Sequence, residues 1–157
     1  MFLKKMKSPG SFPRVAPVLS TVAVTLLLAA GCSSMSNPLA MGQVGKVNLA
    51  GSNEVPPSPS AATGSGTITV ATDHSVSGSV STTGVTGTMA HIHVAAKGSN
   101  GPVIIPLTKT AEGVWSVPPG AKLTDAQYAS YTAGDLYVNV HSAAYPGGEI
   151  RSQIGSN

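Results

Sequence analysis

The chain has 157 residues, of which 10% are charged and 4% aromatic, with a single cysteine and a formal net charge of +3. One cysteine excludes an intramolecular disulfide. The positive charge sits at the N-terminus, in Lys4, Lys5, Lys7 and Arg14. Beyond them Lys46, Lys97, Lys109, Lys122 and Arg151 stand against Glu54, Asp73, Glu112, Asp125, Asp135 and Glu149, a net −1. Nucleic-acid binding needs a basic stripe, and this part of the chain has none.

The N-terminal basic cluster precedes an apolar run, Val15 to Ala30, interrupted by Pro17. The run is too short for a spanning helix. It ends in Leu28-Ala29-Ala30-Gly31-Cys32-Ser33-Ser34. This resembles a bacterial lipoprotein signal, with Ala29 where Leu is commoner. The resemblance implies that residues 1–31 are removed and that Cys32 is acylated and becomes the new N-terminus. Lipid chains contribute about 0.8 kcal/mol per buried CH2, and stable anchoring takes more than one of them. Ser33, rather than Asp, after the cysteine implies the outer membrane where the host has one. Residues 32–45 lack a clear period and read as a tether, with a reach on the order of 40 Å.

A single domain is expected over residues 46–155. Lys46 to Gly51 alternates as a strand and runs into the breaker Pro56-Pro57-Ser58-Pro59. Gly66 to Ala71, a turn at Asp73-His74 and Val76 to Ser81 read as a hairpin. Thr88 to Ala95 follows, then a Gly98–Gly101 turn and a strand from Pro102 to Leu107. Its two prolines demote that strand to an edge. Val114 to Val117 is a short strand, with Trp115 expected in packing. Thr124 with Gln127 three residues on is a capping-box pattern, and Gly134 fits as the stop of that helix. Leu123, Tyr128 and Tyr131 are positioned to pack the helix on the sheet. Asp135 to His141 and Gly148 to Ile154 complete the pattern. The expected fold is an all-β, antiparallel, Greek-key-like sandwich of seven to eight short strands with one short helix.

Three of the four histidines occupy two of these strands. Alternate residues on a strand share a face. His91 and His93 therefore lie together, and Tyr137, Asn139 and His141 share the face opposite Leu136, Val138 and Val140. If the strands neighbour each other, three imidazoles converge. Neutral imidazole is the commonest protein metal ligand. Met89 shares the face and can add a thioether, which favours copper. Three histidines with an open fourth position also suit zinc. Glu149 can ligate the ion, orient His141 or pair with Arg151, for which Asp135 is the other candidate partner. Asn139 can donate to a ligand or bond along the strand, and Tyr137 can stack over the site. His74, in a turn, is expected to be solvated, and Glu54 to brace a loop against the sheet.

Several segments carry a family resemblance. Leu49-Ala50-Gly51-Ser52-Asn53-Glu54-Val55-Pro56-Pro57, Ala90-His91-Ile92-His93, Asn100-Gly101-Pro102-Val103 and Gly134 to Ser142 are among them. The pattern continues through Pro146-Gly147-Gly148-Glu149-Ile150-Arg151. Together they resemble the CHRD (chordin-type) domain family, in a bacterial lipoprotein setting. The resemblance implies a secreted β-sandwich. In animal chordin such domains belong to an extracellular antagonist that binds growth factors, and for bacterial members no substrate is implied.

The paired histidines with a third from a neighbouring strand also resemble the copper layout of Cu/Zn superoxide dismutase. The binuclear centre of that enzyme uses more than four histidines and its fold uses a disulfide, so dismutase activity is excluded. No nucleophile–base pair is present: Ser142 follows His141 directly and points to the other face. Paired carboxylates for glycoside hydrolysis are not evident either. The expectation is a non-enzymatic, membrane-anchored envelope protein that binds copper or zinc through His91, His93 and His141, with Met89, Glu149 and Asn139 as auxiliaries. The alternative is an envelope scaffold or protein-binding module in which the histidines are structural.

Overall fold

A computed structural model describes residues 42–155, together with Gly10. Apart from Gly10, the expected lipoprotein signal, Cys32 and most of the expected tether lie outside the described residues. Nine strands form: β1 Gln43–Ala50, β2 Thr63–Val70, β3 Val76–Thr83, β4 Gly87–Val94, β5 Val103–Pro106, β6 Thr108–Ala111, β7 Val114–Ser116, β8 Leu136–Ser142 and β9 Ile150–Ile154. Among the described residues one α-helix, α1 (Asp125–Thr132), lies between β7 and β8. Strand β1 pairs with β2 from Gln43↔Val70 onward, so the sheet takes in the last residues that the sequence assigns to the tether.

All nine strands belong to one antiparallel sheet in the order β5-β4-β8-β9-β1-β2-β3-β7-β6. The two outermost strands, β5 and β6, are separated in sequence by Leu107 alone. Leu107 donates its N–H to Ala90 O on β4 at 2.9 Å. The sheet therefore curls back on itself into a nearly closed barrel. The expected all-β architecture is present, with nine strands. The additional strand, β6, is exposed at all four positions, so it carries no buried period for sequence reading to find. The proline-flanked strand is an edge, as expected.

Inward-facing residues fill the barrel. Val47, Leu49, Ile68, Val80, Ile92, Val138, Val140, Ile150 and Ile154 are each at most 2% exposed. Burial stabilises such side chains by about 1.5–3 kcal/mol each. Trp115 joins this core, as expected. Close backbone approach explains Gly66, where an added Cβ would lie 2.1 Å from Ser79 O on β3. Helix α1 begins with the capping box: Thr124 Oγ1 accepts from Gln127 N–H and the Gln127 side chain accepts from Thr124 N–H. Gly134 follows its C-cap at φ +81°, and Leu123 and Tyr131 are buried beneath the helix.

Candidate metal centre

Strands β4 and β8 pair directly, with Met89↔His141, His91↔Asn139 and His93↔Tyr137 in register. Strand β8 pairs on its other side with β9, placing Arg151 opposite Asn139. This register puts His91, His93, Tyr137, Asn139, His141 and Arg151 on the barrel's outer face.

Most of that face is not open to solvent. Every residue of β8 is buried, and Asn139 and Arg151 are each 2% exposed. Segments around Gly51–Ser60 and the loops at 96–101 and 143–148 cover it. Asn53 donates to Arg151 O at 3.0 Å, Asn100 Nδ2 donates to Val55 O at 2.7 Å, and Ser60 Oγ donates to Glu149 Oε1 at 2.6 Å. A second, polar core results, outside the apolar one.

The three histidines meet in it. One ligand atom from each of His91, His93 and His141 lies within 4.8 Å of the other two. His91 Nδ1 and His141 Nε2 are 3.1 Å apart. Two nitrogens bound to one metal at about 2.05 Å stand roughly 2.9 Å apart at a right angle and roughly 3.3 Å apart at the tetrahedral angle. The observed spacing falls between those values. His93 Nδ1 donates to Gly101 O at 2.9 Å, and His141 Nδ1 donates to Pro146 O at 3.0 Å. These bonds fix the tautomer and turn each Nε2 lone pair inward, the arrangement by which backbone carbonyls orient metal-ligating histidines. His93 Nε2 is buried and has no hydrogen-bond partner. The His93 ring is stacked on Tyr137 at 4.7 Å, so the expected stacking of Tyr137 is present.

Burial holds the pKa of all three imidazoles below the usual histidine value; for His91 the neighbouring His141 and His93 add to the effect. Neutral rings are the form that ligates metal. The site is open on one side. His91 is only half-buried, and Met89, across from His141, is 48% exposed.

Other residues settle differently from expectation. Arg151 pairs with neither Glu149 nor Asp135. It donates to Asn100 Oδ1 and Ser99 O, each at 2.9 Å, and lies 4.0 Å over the Tyr137 ring. The loop at 96–101 folds over β9 and offers acceptors that sequence spacing does not reveal. Glu149 accepts from Ser60 and is not part of the three-histidine group. His74 is not a free surface side chain. Its backbone is left-handed, at φ +67°, which returns the ring onto Tyr128 at 4.1 Å and brings Nδ1 within 3.4 Å of Asp125.

Sequence reasoning gave Glu54 only a bracing role, but it is buried beside this centre at 5% exposure. Burial pushes its pKa up to about 7, against the opposing pull of Arg151, the Val55 N–H and the Asn139 amide. Asn139 stands beside both Glu54 and His93, and its Oδ1 has no partner. The usable signal was a lone acid between a strand end and a proline pair, because a chain turning back over a sheet carries its side chain inward.

Fold and site together define a small all-β domain with a three-histidine cluster under loops on the outside of a nearly closed barrel. The chain belongs to the CHRD domain family, whose model matches residues 46–154. No curated protein and no solved structure matches it.

Proposed function

We propose that this protein is a membrane-anchored, extracytoplasmic lipoprotein that binds a single metal ion through His91, His93 and His141, with copper preferred over zinc, and that it is not an enzyme. The observation that carries the reading is the buried, unpaired His93 Nε2 facing two imidazoles already at ligand spacing. A bare lone pair in a buried site is costly, and a metal ion relieves it. Copper is favoured because soft thioethers select Cu(I) and Met89 stands at the open rim opposite His141. Zinc fits the three imidazoles and an open fourth position. Among the described residues no helix is long and apolar enough to cross a membrane. The membrane link in this reading rests on the resemblance of residues 1–32 to a lipoprotein signal, with acylation of Cys32 and the outer membrane as the destination in a two-membrane host.

The test is calorimetric titration of the purified full chain with Cu(II), Zn(II) and, under reductant, Cu(I), repeated on His93→Ala. One ion per chain, tighter than micromolar and weakened at least a hundredfold by the substitution, is expected. No binding tighter than about millimolar, or no change on substitution, refutes it.

A second reading has its own support. The His91–His141 contact and the bonds to Gly101 O and Pro146 O tie β4, β8 and two loops together without any ion. The domain then serves as an envelope scaffold that binds another protein. Under that reading His93→Ala lowers the melting temperature in chelator-treated buffer and leaves metal affinity unchanged.

A further inference from the structure

We propose that the cleft between Val55–Pro57 and Tyr145–Gly148 is a second binding site, for a small primary alkylammonium whose charged head meets Glu54 and whose stem lies on the proline walls. The cleft encloses about 510 Å³, within the roughly 300–1,000 Å³ of small-molecule sites. Val55, Pro56 and Pro57 line one wall, and Tyr145, Pro146 and Gly148 line the other.

Glu54 is the only carboxylate lining this cleft. Its Oε1 is buried without a hydrogen-bond partner, and a buried carboxylate with no cation beside it is costly. Arg151 does not fill that role. It makes no ion pair within 4.0 Å among the described residues, and its guanidinium is committed to Asn100 Oδ1, Ser99 O and the Tyr137 ring. Burial raises the pKa of Glu54, and the Arg151 charge, the Val55 N–H and the Asn139 amide only partly offset it.

Gly148 packs directly against the carboxylate. A Cβ at that position would stand 2.7 and 2.8 Å from the two Glu54 oxygens, so any larger residue would press on the carboxylate from the cleft wall. The head group follows from the oxygens. A guanidinium binds carboxylate best as a two-pronged fork, whereas an ammonium is a compact point charge. The carboxylate already interacts with the Val55 N–H and the Asn139 amide, which leaves less than a full two-pronged acceptor and favours the ammonium. Calcium needs six to eight oxygen ligands, and one carboxylate does not provide them. The proposal does not depend on the metal reading.

The test is titration of the full-length chain in detergent with n-butylammonium chloride, following the backbone amide resonances of Val55, Asn100 and Gly148 by NMR. Tetramethylammonium chloride, which has the same charge but no N–H donor, and calcium chloride serve as comparison titrants. Saturable shifts with a millimolar Kd are expected, at least tenfold weaker for tetramethylammonium and for Glu54→Gln, and unchanged in His93→Ala. Ala144→Trp, at the exposed rim, blocks the cleft without touching Glu54 and must also weaken binding should Glu54→Gln fold poorly. Equal affinity for tetramethylammonium, full binding by Ala144→Trp, or stronger displacement by calcium overturns the proposal.

Discussion

Replacing Glu54 by Gln is expected to stabilise the protein, and to do so only above mildly acidic pH. The side chain is 5% exposed, and its pKa is raised from 4.5 to about 7 in the fold. Near pH 4.5 the folded protein holds Glu54 neutral and little is lost. As pH rises toward 7 the unfolded chain ionises freely while the folded one resists, and stability falls. Above 7 the loss is complete. Each pKa unit is about 1.36 kcal/mol, so the penalty is on the order of 3 kcal/mol. Gln has nearly the same shape and never ionises. The expected gain is therefore about 3 kcal/mol at pH 8 and under about 1 kcal/mol at pH 5. Urea unfolding followed by fluorescence of the single, buried Trp115 measures both values. Histidine titration is common to the two proteins and cancels in the difference. A gain that is the same at both pH values, or a less stable Gln variant at pH 8, refutes the reasoning.

The three cluster histidines act in the opposite direction. Their folded pKa values are lowered, so their contribution is fully present above the ordinary value near 6.5 and is lost as pH falls below it. A urea series in the Glu54→Gln background isolates that fall, and a flat profile between pH 7 and pH 5 contradicts it. Gly66→Ala places a Cβ 2.1 Å from Ser79 O; it should part β2 from β3 and lower the melting temperature by several degrees, as circular dichroism will read. Thr124→Ala removes the helix cap and should cost about 0.5–2 kcal/mol without changing metal affinity.

The histidine convergence was legible because it rests on the two-residue period of strands. His91 and His93 share a face by spacing alone, and His141 joins them once β4 and β8 are neighbours. The prolines at 102 and 106 marked an edge strand, and Thr124 with Gln127 marked a helix start, because both are local chemistry. What stayed hidden is non-local. Strand β6 has no buried face, so no period announces it. Burial of the histidine face depends on loops that cross it from far along the chain: Ser99 and Asn100 reach Arg151, and Ser60 reaches Glu149. Those contacts make a polar core of the histidine face, and they bury Glu54, expected only to brace a loop, beside the site.

The most direct measurement of the central claim is long-range ¹H–¹⁵N NMR of the histidine rings before and after one equivalent of Zn(II). The nitrogen resonances of His93 Nε2, His141 Nε2 and His91 Nδ1 are expected to move together at one ion per chain. The Nδ1 protons of His93 and His141 should stay in place on Gly101 O and Pro146 O. Unmoved ring nitrogens, or metal attachment at the Nδ1 atoms of His93 and His141, contradict it.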